Sequence, residues 1–371
     1  MINLSAYVFT LKGLVFMLIK LFAVRVLGNL VGLFQEFQQQ RARVFIAMFA
    51  VGFTVAFALT ACSGGDKAAQ KAPASNPTTA QSGVVIRIGY QKAATVLYAL
   101  KAKGDLEKAF AASGATVTWS EFPAGPPMLE AVNAGSIDFG YTGEAPPIFA
   151  QAGDNPFVYV AYDPWGAKAE GIIVPKNSNI LKVADLKGKK VAFAKGSNTN
   201  YLVVKALEKA GLQYSDIQPA FLTPADARVA FEGGNVDAWA IWDPFLAAAE
   251  KALAPRLLID ATGLAPNRGY FLAAKAFAEK NPEGLKTVLG EVKKVSDWAK
   301  NNSSEVAKLL SLVLGIDAAV LETAEKRREY DVLPLTEEVI QRQQEIADTF
   351  YRIKLIPKQI NVKEAVWQGN K

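Results

Sequence analysis

KVAFAKGSNTNYLVVKALEKA (190–210) runs from a strand through a tight turn into a helix, and that unit decides the fold class. Lys190 to Ala194 reads as a short strand, Gly196 permits the turn, and Ser197 or Asn198 caps an amphipathic helix from Thr199 to Ala210. Working outward, VVIRIGY (84–90), ATVTWSEF (115–122), SIDFGYT (136–142), GIIVP (171–175), QPAFL (218–222) and DAWAIW (237–242) are further strands separated by amphipathic helices. Strands alternating with helices specify an α/β protein with mainly parallel sheets. The roughly 290 residues from Val84 onward exceed the usual size of one domain, so two lobes are expected.

A weak internal duplication points the same way. Gly89, Ala99, Leu100 and Gly104 recur at identical spacing as Gly196, Ala206, Leu207 and Gly211. Ala131, Gly135, Asp138 and Glu144 recur in the same manner as Ala230, Gly234, Asp237 and Asp243. Two related units in one order favour two lobes of similar topology. Ligands of such sheets sit beyond the carboxyl ends of the strands, which nominates four loops: Tyr90-Gln91-Lys92, Thr142-Gly143-Glu144, Gly196-Ser197-Asn198-Thr199 and Trp242-Asp243-Pro244. The third opens a helix whose free amides suit an anion.

Composition removes most catalytic chemistry. The chain has no histidine and one cysteine, Cys62, so imidazole bases, histidine metal ligands and Ser-His or Cys-His arrangements are excluded. No Ser-x-x-Lys, Gly-x-Gly or Walker P-loop occurs. Carboxylate-only catalysis survives the filter but is not favoured. The formal charge of +6 is concentrated early: five of 41 basic and one of 35 acidic residues precede Cys62, leaving 36 against 34. That balance, without a basic run interleaved with aromatics, argues against nucleic acid as a partner.

Arg41 and Arg43, an uncharged apolar run from Val44 to Leu59, and Leu59-Thr60-Ala61-Cys62 have the order of a secretion signal with a processing site (41–61). The run is short of the ~20 apolar residues of a spanning helix. Residues 1–40 precede the basic flank of that signal, are interrupted by Lys12, Lys20 and Arg25, and suggest a translation start later than Met1. Residues 62–83, rich in Ala, Ser, Pro, Thr and Gly, read as a flexible tether reaching roughly 25 Å.

Leu59-Thr60-Ala61-Cys62 resembles the lipobox of bacterial lipoproteins, in which the cysteine is lipidated. IRIGYQK (86–92), EFPAGPPMLEAVNAGSIDFGYTGEAPPIFAQA (121–152), VADLKGKKVAFAKGSN (183–198) and IWDP (241–244) resemble aliphatic sulfonate-binding proteins of ABC transporters. The similarity spans roughly 84–280, and close relatives are similar to binders of taurine, nitrate, bicarbonate and thiamine precursors. Many sulfonate binders carry His in the helix after GSN where this chain has Asn200, so a shifted ligand preference is expected. The resemblance implies a two-lobed type II periplasmic-binding-protein fold with two hinge crossings, near Glu170 to Pro175 and Arg268 to Leu272. The first lobe is then 84–172 plus 270–371 and the second 173–269, with the helical C-terminal part packing back on the first lobe.

Within that frame the expected anion donors are Ser197, Asn198, Thr199 and Thr142, with Gln91 and Gly143 beside them and Lys92 and Arg268 adding charge. Trp242, Tyr90 and Tyr270 are the expected apolar wall. Glu144 and Asp243 would repel an anion, so they are expected to pair with Arg or Lys across the cleft, or to hold an ammonium group of the ligand. The functional expectation is a monomeric extracytoplasmic lipoprotein, anchored to the membrane through Cys62, that captures a small anionic solute, foremost an alkanesulfonate, without cofactor or metal. It would deliver the solute to an ABC permease with its cytosolic ATPase. The rivals are an enzyme related to thiamine-pyrimidine synthesis, which shares the fold, and a sensor that presents ligand to a receptor.

Overall fold

The computed structural model describes residues 84–164 and 166–369; the readings made on residues 1–83, Cys62 among them, lie outside the described residues. The chain begins with β1 (Val85–Gln91), α1 (Thr95–Lys103), α2 (Asp105–Ala111), β2 (Thr116–Phe122), α3 (Gly125–Asn133), β3 (Phe139–Gly143), α4 (Ala145–Ala152) and β4 (Phe157–Asp163). It continues through β5 (Glu170–Val174), β6 (Lys190–Phe193), α5 (Asn198–Lys209), β7 (Gln218–Phe221), α6 (Pro224–Glu232), β8 (Ala238–Trp242), α7 (Phe245–Leu253) and β9 (Arg256–Asp260). β10 (Gly269–Ala274) and five helices complete it: α8 (Lys275–Lys280), α9 (Pro282–Asn301), α10 (Ser303–Leu314), α11 (Ala318–Glu325) and α12 (Glu337–Arg352).

The strands form two sheets of five, ordered β2-β1-β3-β10-β4 and β7-β6-β8-β5-β9. In the first, β1 runs parallel to β2 and β3, and β10 enters antiparallel between β3 and β4. The second repeats this with β6, β7 and β8, and β5 antiparallel between β8 and β9. The architecture is the expected α/β arrangement of two mainly parallel sheets flanked by helices. Central strands β3, β5 and β8 are buried along their whole length, which is why they lack the apolar-polar alternation of half-exposed strands.

The chain passes from the first sheet to the second between Asp163 and Glu170 and returns between Asp260 and Gly269. Both crossings therefore precede their expected positions. Glu170 to Val174 is strand β5 of the second sheet, and Gly269 to Leu272 already belongs to β10 of the first. A buried apolar strand carries no sign of which sheet it joins, and that choice is made by pairing partners. Strands β4, β9 and β10 were not picked out from the sequence. β9 is a half-buried edge, and β10 runs through Ala273-Ala274 directly into α8, so its end lacks a turn signal.

The duplication is real in its second block. Gly135 and Gly234 both take positive φ (70° and 67°) to end α3 and α6. Ser136 N–H donates to Ala131 O at 2.9 Å and Asn235 N–H to Ala230 O at 2.8 Å, the same reversal in each lobe. The first block matches only at the helix ends. Ile88 and Gly89 pair with Phe139 and Gly140 as Val191 and Ala192 pair with Ala238 and Trp239, so the counterpart of Gly89 is Ala192, not Gly196. The offset arises because α5 has 12 residues against 9 in α1 and because Ala210 stands between α5 and Gly211, whereas Gly104 follows α1 directly.

Among the C-terminal helices, α9 packs on α1 and α2, and α12 on α4, as expected for elements returning to the first lobe. α11 instead also covers the second lobe: Val320 and Ala324 pack against Ala247 of α7.

Asp138 and Asp237 occupy the same place in the two sheets but do unequal work. Asp138, 5% exposed, accepts from Arg87 N (2.9 Å), Nε (2.8 Å) and Nη2 (2.6 Å), whereas among the described residues Asp237 accepts only from Lys190 N at 2.8 Å. Asp138→Ala is expected to lower unfolding free energy by about 2 kcal/mol and Asp237→Ala by about 1 kcal/mol in urea titrations, and equal losses would contradict the assignment.

Candidate functional site

The carboxyl ends of the two sheets meet around one small cavity. Gln91 at the end of β1, Thr142 and Gly143 at the end of β3, and Trp242 at the end of β8 reach it, with Ser197 and Asn198 from the turn after β6. Ala93, Gly125 and Pro146 complete the wall. Ala124-Gly125-Pro126-Pro127 and Glu144-Ala145-Pro146-Pro147 each open a helix with proline in the first turn, where its missing N–H costs nothing, and so bring the starts of α3 and α4 to the cleft. The free volume is about 20 Å³, little more than one water requires. A solute larger than a water molecule does not fit this volume.

Three contacts describe the wall. The Thr142 hydroxyl is fully buried and has no hydrogen-bond partner among the described residues. It packs so closely on Gly125 that a Cβ there would lie 1.9 Å from Oγ1, which makes glycine obligatory. Ser197 caps α5, accepting from Asn200 N at 3.4 Å while donating to Ala194 O at 2.6 Å, so the helix opens with Asn198 at the cavity. Its first amides, those of Asn198 and Thr199, precede the helix's own bonding pattern at the end that opens on the cavity. Asn198 spans the lobes: Oδ1 accepts from Ala145 N of α4 at 3.1 Å, and Nδ2 donates to Asn267 Oδ1 at 2.8 Å.

Other expected residues lie outside this wall. Thr199 is buried behind Ser197, with 2.9 Å between their hydroxyl oxygens, and Lys92 is half-buried and does not line the cavity. Tyr270 is core, edge-on to Tyr159 at 5.1 Å, and Tyr90 packs edge-on against Tyr98 and Trp119. Trp242 alone of the three expected aromatics reaches the cavity, because the other two point into the faces of the first sheet. Arg268 sits 6.0 Å from the Tyr162 ring and lines a separate open groove with Tyr201 and Arg342. Asp243 faces Arg327 at 3.4 Å and accepts from Ala247 N at 3.0 Å. Glu144 accepts backbone amides rather than a cationic side chain, those of Asn267 at 3.2 Å and Arg268 at 2.9 Å, and thereby holds the second crossing.

The NMT1/THI5-like family profile matches residues 107–306. The chain is 45% identical over 284 residues to an aliphatic sulfonates-binding protein of Escherichia coli K12, covering 76% of this chain and 88% of that one. Among solved structures, the periplasmic aliphatic sulphonate binding protein SsuA from Escherichia coli superposes with a TM-score of 0.71 at 44% identity, covering 78% of this chain and 94% of that chain. The alkanesulfonate-binding protein SsuA from Xanthomonas axonopodis pv. citri bound to MOPS gives a TM-score of 0.73 at 42% identity, covering 76% and 98%. The chain belongs to the aliphatic sulfonate-binding protein family. In this member the Asn200 departure does not touch the cavity: its Oδ1 accepts from Gly196 N at 3.0 Å and its Nδ2 lies 3.4 Å from the Tyr214 hydroxyl. Asn200 shapes the loop and gives no structural ground for the expected shift in ligand.

Buried carboxyls gather around the crossings. Burial raises Glu144 to about 7, partly offset by the Arg268 amide and charge. Burial and then Glu144 raise Glu170 well above the ordinary range, and neither of its oxygens has a hydrogen-bond partner among the described residues. Burial likewise raises Asp163 to about 6, Asp243 to about 6 and Glu325 to about 7, against the opposing charges of Arg328, Arg327 and Arg328 respectively. Since the folded chain holds these protons more tightly than the unfolded one, the stability they contribute is full below the unfolded values near 4 and is lost as pH rises through 6 to 7. Denaturant titrations at pH 5 and pH 8 should show the loss. Glu170→Gln should raise stability at pH 8 by on the order of 2 kcal/mol and change it little at pH 5.

Proposed function

We propose that the protein is an extracytoplasmic solute-binding lipoprotein that captures an alkanesulfonate between its lobes and passes it unchanged to an ABC permease with its ATPase. The observation that carries this reading is the unpartnered Thr142 hydroxyl in the same cavity as the α5 N-terminus. A sulfonate is permanently ionised at neutral pH and weakly basic, so it is met by donors rather than by an acid or a base. Thr142, the first amides of α5 and Gln91 Nε2 supply donors, while Ala93, Pro146 and Trp242 face the organic part. A helix N-terminus contributes up to ~2 kcal/mol and each charge-assisted bond roughly 1.5 to 3 kcal/mol. Three such bonds with the dipole approach the ~8 kcal/mol of a micromolar complex before ordering costs. The names of the relatives support the same ligand class and a periplasmic location.

Anchoring through Cys62 rests on the basic flank, apolar run and Leu-Thr-Ala-Cys order. Intact mass of the mature protein from its host should start at a lipid-modified Cys62, and a species retaining residues 1–40 would overturn that part.

The capture reading is tested by thermal melting against alkanesulfonates, taurine, sulfate, nitrate, bicarbonate and thiamine precursors. A ligand at ~100 times its Kd adds ~2.7 kcal/mol and raises the melt, and alkanesulfonates should do so most. A response to nitrate or to a pyrimidine alone rejects the assignment. Thr142→Val should weaken the best ligand about tenfold or more by calorimetry, with the ligand-free melt nearly unchanged.

A further inference from the structure

Asn267 lies in the second crossing, fully buried, with φ of +50°, a left-handed conformation that asparagine tolerates better than most residues. Its side-chain oxygen, side-chain nitrogen and backbone amide reach three different parts of the molecule. Its Oδ1 accepts from Asn198 Nδ2 of the second lobe at 2.8 Å. Its Nδ2 donates to Gly166 O of the first crossing at 3.0 Å, and its backbone N–H donates to Glu144 Oε1 of the first lobe at 3.2 Å.

Asn267 is therefore fixed to the first lobe and to both crossings independently of Asn198. Asn198 rides on α5 of the second lobe, lines the cavity, and reaches two acceptors or donors outside its own lobe: Ala145 N and Asn267. Contact between the lobes is close enough here that a Cβ on Gly143 would fall 2.2 Å from Asn198 Oδ1. When the lobes part, α5 carries Asn198 away from Ala145, while Asn267 stays held to the first lobe by Glu144 and to the first crossing by Gly166 O. On that geometry the Asn198–Asn267 bond belongs to the closed arrangement.

We propose that Asn267 is a positioning residue for solute capture. It is the catch on which Asn198 docks as the lobes close, so it orients the Asn198 carboxamide at the cavity and lengthens the residence of whatever the cavity holds. This rests on the cavity being the capture site, but not on which anion is captured. A catch engaged only after closure changes the rate of opening and leaves encounter with the open form alone.

Asn267→Gly tests the idea, because glycine keeps the left-handed backbone and its amide bond to Glu144 while removing both side-chain bonds. In the purified protein with ethanesulfonate as probe, stopped-flow binding should show the dissociation rate raised roughly five- to tenfold and the association rate within about twofold of the native value. Small-angle scattering of ligand-free protein should show a larger radius of gyration in the variant. Combining Asn267→Gly with Asn198→Ala should give less than the sum of the separate effects, since both remove the same bond. Unchanged dissociation and scattering, or fully additive effects, would overturn the proposal, as would a lower melting temperature with native binding rates. Should Asn267→Gly fail to fold, Asn267→Ser, which keeps a short polar side chain, carries the same measurements. Larger scattering in the variant of a protein that binds no sulfonate would sustain the catch and reject the ligand assignment.

Discussion

Glu144 carries the constraint on which the cleft depends. Placed directly after β3, it turns its carboxylate on the amides of Asn267 and Arg268, and its own carbonyl accepts from Gln343 Nε2 of α12 at 2.6 Å. One residue thus ties the end of the first sheet, the second crossing and the C-terminal helix together. Complete burial makes this expensive, which is why the group is held up near 7 and why burial and the neighbouring Glu144 push Glu170 well above the ordinary carboxyl range. Such local costs persist where the surrounding packing over-determines them, and the crossings of a two-lobed protein are such a place.

A second tie runs along the flank. Arg327 and Arg328 follow α11 and turn to opposite lobes. Arg327 pairs with Glu250 at 2.5 Å and Asp243 at 3.4 Å in the second lobe. Arg328 donates to Ala93 O at 2.7 Å and Thr95 Oγ1 at 2.8 Å and faces Asp163 at 3.5 Å in the first. Both Arg328 and Asp163 are almost wholly buried, and Arg328 opposes Glu325 as well, so removing Arg328 takes the opposing charge from both carboxyls, a loss of about 3–5 kcal/mol in comparable pairs. The carboxylates near the cavity are thereby turned to cations and amides of the protein, leaving hydroxyl, amide and apolar groups around the solute.

Much of this was legible beforehand, and the limits have identifiable causes. The strand-turn-helix of 190–210 formed within one residue of its reading, because Ser197 is a local cap and needs only its own neighbours. The loops named at the strand ends did converge, since parallel strands put all their carboxyl ends on one side. Within those loops, direction was not legible. Thr142 and Glu144 are two residues apart, yet one faces the cavity and the other the crossing. Ala93, Gly125 and Pro146 went unnoticed because small and cyclic side chains bear no chemical signature, although the paired Gly-Pro-Pro and Ala-Pro-Pro helix starts marked where two of them stand.

By itself the sequence determined what near neighbours govern: seven of the ten described strands, the strand-turn-helix of 190–210 with its cap, the duplicated glycine turns, the lack of imidazole chemistry and the family. Tertiary structure decided what depends on partners distant along the chain. It assigned β5 and β10 to opposite sheets, turned Asp243 to Arg327 and Glu144 to the second crossing, and joined Asn198 to Asn267. Hydrogen-bond and ion-pair partners separated by 69 to 124 residues leave no local trace, because either member alone reads as an ordinary polar residue until the fold brings them together.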